Sequence, residues 1–213
     1  MAAGDSAYIV GLYLGQRRDY TALAVVERVE EAAGAFDWAR YETPLDRLYN
    51  LRHLERPPLG TPYTEVARRV KDLTTSARLH GRCKLVVDAT GVGAPVVDLL
   101  RVSRPGCPII PVTITSGERE SQSGSQWRVP KRDLVVGLQV LLEQGRLRIA
   151  GGLPEGALLL DELRQMRVKM TPSGHERFEA WRESSHDDLV LAVALACWWG
   201  KKHRPVWGME RLL

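Results

Sequence analysis

The chain has 213 residues, 44% hydrophobic and 26% charged, with a net charge of +4. This length suffices for a real core in one large domain or two small ones, and the small positive excess favours an anionic partner only mildly. No apolar run nears the roughly 20 residues that span a bilayer. The apolar N-terminal stretch lacks the basic flank of a signal peptide. Cys83, Cys107 and Cys197 are too few and too scattered for a disulfide framework or zinc cluster, so a reducing, cytoplasmic setting is expected.

Residues 7–14 read as a short apolar strand, and 20–28, rich in β-branched types, as a second. The short connection between them predicts a hairpin. Residues 36–42 and 48–54 are further strand candidates, followed by an irregular segment marked by Pro57, Pro58, Gly60 and Pro62. Val66, Val70 and Leu73 have helical spacing, with Thr64 as N-cap and Gly81 as stop. The run Leu85-Val86-Val87 predicts a strand buried on both faces, ending at Asp88. A helix follows, with Pro95 in its first turn, and then a strand over 109–114.

The polar, Ser- and Gly-rich stretch 115–126 reads as a flexible loop within a single domain spanning 1–213. After it come a helix from about Pro130 to Glu143, a strand at Leu147–Ile149 and a helix over 155–167. Two strands are predicted around the turn Thr171-Pro172-Ser173-Gly174. A closing apolar helix has Ser184 or Ser185 as N-cap. Strands first, then strand–helix alternation, predict an α/β mixed sheet with helices on its faces. Its parallel part comes from the strands at 84–88 and 109–114, joined by a right-handed crossover.

Three acidic positions stand out. Asp88 lies at the C-terminal end of a buried strand, where ligand sites of open α/β sheets gather. It suits a metal ligand or catalytic base, and equally a turn residue or a cap for the next helix. Asp187 and Asp188 open a helix that is otherwise almost wholly apolar. The helix dipole accounts for one acid there. Two adjacent acids brought into a core would repel each other and lose solvation unless a cation were present, and carboxylate oxygens suit a hard divalent ion. His186 beside them is read as a supporting group, a proton shuttle or part of the cap. No P-loop and no Gly-x-Ser-x-Gly elbow occurs.

With these residues in view, KLVVDATGVGAPVVDLLR, VPKRDLVVGLQVLLEQGRLRI and HDDLVLAVALACWW, in this order, resemble the C-terminal nuclease domain of the large terminase subunit of tailed bacteriophages. GLYLGQRRDYTALAVVER resembles that family's first hairpin. The resemblance runs from about Tyr8 to Trp199. It implies a ribonuclease-H-like fold, with antiparallel hairpin strands followed by parallel strands and helices on both faces. It also implies a metal-dependent endodeoxyribonuclease that cuts concatemeric viral DNA during genome packaging in the host cytoplasm. Asp88, Asp187 and Asp188 match the family's catalytic, metal-binding acids. The family carries Asp where this chain has Tyr13, in Gly11-Leu12-Tyr13-Leu14-Gly15. The alternative is therefore a catalytically impaired DNA-binding module of the packaging complex. Asp19, at the same end of the hairpin, is a candidate to supply part of the missing charge as a further metal ligand.

The implied cofactors are two Mg²⁺ or Mn²⁺ ions roughly 4 Å apart that clamp the scissile phosphate, one of them weakened by Tyr13. Implied partners are double-stranded DNA, an ATPase motor domain, the portal and the small terminase subunit. Arg128, Lys131 and Arg132 cluster at a helix start, where backbone N–H groups also favour phosphate, and are the expected DNA contacts. Arg146, Arg148, Lys169 and Arg177 could extend them into a basic rim. A branched-DNA resolvase shares the fold and stays open as a same-class reading. A two-domain actin-like ATPase does not fit 213 residues.

Overall fold

The first strand, β1 (Ala7–Tyr13), is an unbroken apolar run because both of its faces are covered, with Tyr8, Ile9, Val10 and Leu12 all buried. The structure is a computed structural model that describes residues 7–15, 19–36, 38, 41, 43–91, 93–170, 176–180 and 186–202. After β1 come β2 (Ala22–Ala32), β3 (Leu45–Glu55), α1 (Tyr63–Thr74), β4 (Cys83–Asp88), α2 (Gly93–Ser103), β5 (Ile109–Thr115), β6 (Ser121–Ser123) and β7 (Gln126–Pro130). The chain continues through α3 (Lys131–Glu143), β8 (Leu147–Ile149), α4 (Gly156–Gln165), β9 (Met166–Met170), β10 (Glu176–Ala180) and α5 (Asp188–Lys202). Among the described residues no helix is long and apolar enough to cross a membrane.

Eight strands form one mixed sheet in the order β6-β7-β5-β4-β1-β2-β3-β8, and β9 and β10 make a separate antiparallel ribbon. Strands β1, β4, β5 and β7 run parallel to one another, β2 is antiparallel to both β1 and β3, and β8 is parallel to β3. Strand direction therefore gathers Tyr13, Asp88 and the β7–α3 junction, all C-terminal strand ends, on one edge of the sheet. The start of β2 and the end of β3 lie on that same edge.

Two apolar layers sandwich the sheet. Residues of α1 and α2, including Val66, Val70, Val97 and Leu100, pack against Val10, Leu12 and Leu85 on one face. On the other face α3, α4 and α5 pack against Ile9, Ala24, Val26 and Val86. Helix α5 is buried continuously from Asp188 to Gly200. It lies so close to β1 that a Cβ on Gly11 would stand 2.0 Å from the carbonyl oxygen of Ala192. A buried helix places its first turn, with its acids, against the sheet edge.

The expected mixed α/β architecture is present, with local differences. Residues 36–42 are not a strand at their described positions. The second hairpin strand instead reaches back to Leu45, and the Ala33 N–H donates to the Pro44 carbonyl at 2.7 Å where the connection closes. Thr64 is inside α1 rather than capping it. Pro62 takes the cap position, its carbonyl accepting from the N–H groups of Glu65 and Val66 at 2.9 and 3.0 Å. Part of the polar stretch 115–126 is strand: β6 pairs with β7 across a tight turn in which Gly124 has φ +58°, a left-handed conformation that suits glycine. The predicted turn Thr171-Pro172-Ser173-Gly174 lies outside the described residues, as do Ser184 and Ser185. Helix α5 starts at Asp188, with the Asp187 carbonyl accepting the first helical bond, from the Leu191 N–H at 2.9 Å.

The register that pairs Leu85 with Ile109 also brings the scattered Cys83 and Cys107 together. Both thiols are free, and the Cys83 Sγ donates to the Thr74 carbonyl at 3.9 Å.

Candidate functional site

The predicted acids meet at the shared strand edge. Asp88 ends β4, and Asp187 and Asp188 stand at the start of α5. Tyr13, at the end of β1, lies on the same edge and feels the charge of all of them. Burial first, then the negative charges of Asp187, Asp88, Asp19 and Asp188, push its phenol far above the usual tyrosine range. The hydroxyl therefore stays neutral, within electrostatic reach of four carboxylates. Asp19 is exposed, just before β2, and lies on the same edge, as the hairpin geometry predicts.

Each acid of the predicted trio is held by its own group. Asp88 is 3% exposed, and its Oδ1 accepts from the Thr90 N–H at 2.8 Å. The turn role and the site position thus coincide in one residue. Burial raises its pKa to about 6, against the bonds from Thr90 and the nearby charge of Lys131, which lower it. Asp187 Oδ2 accepts from Lys131 Nζ at 2.5 Å. Asp188 is 1% exposed, and its Oδ2 has no hydrogen-bond partner, only the guanidinium of Arg56 at 3.6 Å. His186 Nδ1 stands 3.9 Å from Asp188 Oδ1, and its ring meets Tyr20 edge-on. Burial also raises Asp188 to about 6, opposed by His186 and Arg56 and reinforced by Asp187 and Asp19.

Sequence reasoning missed the groups that brace this edge. Glu162 of α4 is buried, and its Oε2 accepts from the N–H groups of Leu189 and Val190 at 3.1 and 3.2 Å. It thereby satisfies orphan donors at the start of α5. Burial and the charge of Asp188 push its pKa to about 8, against the two N–H bonds and Arg56. Arg56 Nη1 lies 3.5 Å from Glu162 Oε1, and its guanidinium covers the Tyr20 ring at 4.3 Å. One sequence signal did exist for Glu162. It stands three residues after Leu159 on the inward stripe of α4, where an apolar residue would be expected. Arg56 carries no comparable signal.

The donor set fits a hard divalent cation: carboxylate oxygens only, two of the acids almost fully buried, and one buried oxygen without a hydrogen bond. The acids are not drawn into a closed cage. Among the described residues no three His, Cys, Asp or Glu groups stand close enough to hold an ion as they are. Lys131 and Arg56, one on each acid of the pair, partly supply the positive charge that the cluster needs.

The predicted DNA contacts divide. Arg128 on β7 is exposed, and Lys131 and Arg132 open α3 beside it on the edge that carries the carboxylates. Lys131 is turned inward onto Asp187. Two members of the predicted basic rim, Arg146 and Arg148, stand away from this cluster. Arg146 donates to the Arg47 carbonyl at 2.9 Å, and Arg148 stands on β8 at the far side of the sheet, near Glu31. Six inter-strand steps separate β8 from β7, roughly 29 Å. Lys169 and Arg177 are on β9 and β10, where the side chains lie outside the described set.

No family model matches the chain. Among curated proteins, the terminase large subunits of Thermus phage G20c and Thermus virus P23-45 are each 25% identical to it over 192 residues, 90% of this chain and 31% of theirs. The chain thus spans less than a third of the length of these relatives. The large terminase nuclease of phage G20c with bound magnesium is 26% identical with a TM-score of 0.62, over 91% of this chain and 81% of that one. The nuclease domain of the large terminase subunit of virus Sf6, a K428A mutant with manganese and beta-thujaplicinol, has a TM-score of 0.55 at 16% identity and speaks to the fold alone. It aligns over 96% of this chain and 90% of that one. The ribonuclease-H-like fold and the likeness to terminase nucleases expected from the sequence are both borne out.

Proposed function

We infer that this chain is the nuclease part of a tailed-phage large terminase, a divalent-metal-dependent endodeoxyribonuclease that cuts concatemeric viral DNA during genome packaging. The observation that carries the reading is the meeting of Asp88, Asp187 and Asp188 around Tyr13 on the sheet edge where four parallel strands end. The similarity to a magnesium-bound terminase nuclease supports it. The proposed ligands are Asp88, Asp187 and Asp188, with Asp19 an auxiliary charge, and the proposed ions are Mg²⁺ or Mn²⁺. The substrate is double-stranded DNA. The expected assembly partners are an ATPase motor, the portal and the small terminase subunit, in the host cytoplasm.

Bound divalent ions supply Lewis-acid polarisation of the scissile phosphate and a more acidic water. The chain's own residues set the stage. Asp88 is fixed by Thr90, so its carboxylate is aimed before substrate arrives. Arg56 and Glu162 pin the first turn of α5, which fixes where Asp187 and Asp188 point. Lys131 neutralises Asp187 and lies where a phosphate on this edge would also need a cation. Arg128 and Arg132 beside it hold the DNA backbone without reading bases.

The test is a supercoiled-plasmid assay with Mn²⁺ or Mg²⁺. Wild type is expected to nick or linearise the plasmid and Asp88→Ala to be silent. Cleavage that persists unchanged in Asp88→Ala would sink the assignment.

A further inference from the structure

The opposite edge of the sheet carries a cavity that the nuclease reading does not use. A half-open cleft of about 270 Å³ is lined by Tyr8, Arg28, Arg82, Lys84, Pro108 and Trp199, with Gly81 and Gly200 among its remaining walls. It lies at the start of β1 and β4 and the end of α5. Four residues of β4 separate Lys84 from Asp88, about 13 Å, and twelve residues of α5 separate Gly200 from Asp188, about 18 Å. The cleft is therefore distinct from the carboxylate cluster.

Its chemistry is one-sided. Three cations and no carboxylate appear in the lining. Arg28 donates to the Gly200 carbonyl at 3.3 Å, placing its charge at the C-terminal end of α5. Arg82 and Lys84 have no carboxylate partner among the described residues. Their contacts are with ring faces, Arg82 at 5.7 Å from the centroid of Tyr8 and Lys84 at 5.8 Å from that of Trp199. Both distances are at the outer limit of a cation–π contact, so these contacts do not neutralise the two charges. Trp199 is held from behind by Trp198 and Trp127, and the Tyr8 hydroxyl is tied to Glu27 at 3.0 Å. The apolar walls are thus rigid before any ligand arrives.

Two unmatched cations above fixed aromatic walls, in a cleft at the small end of ligand-site volumes, suit one group with an anionic head and a flat body. We propose that this cleft binds a single nucleoside phosphate, its phosphate between Arg82 and Lys84 and its base against Tyr8 and Trp199. Two sources share that chemistry: a free nucleotide, or one nucleotide of a DNA strand lying across the back of the domain.

The experiment is calorimetric titration of the whole chain in EDTA, so that metal-mediated binding at the carboxylates cannot contribute. The probes are inorganic phosphate, thymidine monophosphate and a 5′-phosphorylated single-stranded tetranucleotide. Saturable binding of the mononucleotide, clearly tighter than phosphate, is expected. Lys84→Gln and Arg82→Ala should each weaken it about tenfold, the loss of one charge-assisted hydrogen bond, with unchanged circular dichroism. Asp88→Asn should leave it unaltered. A tetranucleotide that binds more tightly than the mononucleotide supports the site as a strand contact, and equal affinity supports a site for free nucleotides. Phosphate binding as tightly as the mononucleotide, no saturable binding, or full affinity in both cleft variants would overturn the proposal.

Discussion

Gly11 of β1 lies directly beneath Ala192 of α5, where a Cβ would come within 2.0 Å of the helix backbone. The site depends on this contact, because the depth of α5 sets where Asp187 and Asp188 meet Asp88. Backbone cannot rotate away as a side-chain tip can, so Gly11→Ala should lift the helix. A destabilisation of about 3 kcal/mol, the upper end of overpacking effects, is expected in denaturant unfolding. Metal-induced stabilisation should fall with it. A variant as stable as wild type would mean that α5 does not bear on β1 in this way.

Glu162 separates a capping role from a charge role. Its pKa near 8 leaves it mostly protonated at pH 7, and one oxygen accepts both α5 N–H bonds. Glu162→Gln keeps that oxygen and should cost little at pH 7. Glu162→Ala strands two buried donors and should cost about 1–3 kcal/mol. Equal stabilities of the two variants in thermal unfolding would refute the capping role.

Burial raises both Asp88 and Asp188 to about 6. A raised acid pKa means that the folded chain binds the proton more tightly than the unfolded one. Each group is harmless below about pH 4. Stability is then lost as pH climbs through 6, by roughly 3 kcal/mol per group at most. The comparison with Asp88→Asn isolates one group. Without metal the variant should match wild type near pH 4 and be the more stable at pH 7.5. Saturating Mn²⁺ should reverse that order, because only the ionised acid binds the ion. An Asp88→Asn protein less stable than wild type at pH 7.5 without metal would contradict the burial argument.

Tyr13→Asp places a fifth carboxylate among four. In EDTA the variant should melt below wild type through charge repulsion. Mn²⁺ at about a hundred times its Kd should return roughly 2.7 kcal/mol, a larger gain than wild type shows at the same concentration. Plasmid cleavage should rise in parallel. If the metal response does not exceed that of wild type, position 13 does not face the ions.

The DNA path is testable by salt dependence. Arg128 is exposed on the edge that carries the carboxylates, whereas Arg148 stands at the far side of the sheet. Arg128→Ala should lower the slope of log K against log salt by about one, and Arg148→Ala should leave it unchanged. A fall only in Arg148→Ala would place DNA elsewhere.

Taken alone, the sequence determined most of the elements and singled out the acids. Apolar runs and helical spacing are local properties, so Leu85–Asp88 and the apolar helix after Asp187 could be read as a strand and a buried helix, and acids at their ends stood out. Only the tertiary structure decided what those acids touch. Lys131 on Asp187, Arg56 on Asp188 and the bracing by Glu162 join residues 27 to 132 positions apart, and no local pattern encodes such pairs. The same holds for the far-edge cleft, which exists because strand order brings Tyr8, Lys84 and Trp199 to one place. Propensity acts within a few residues, whereas burial and charge pairing act across whatever the sheet brings into contact.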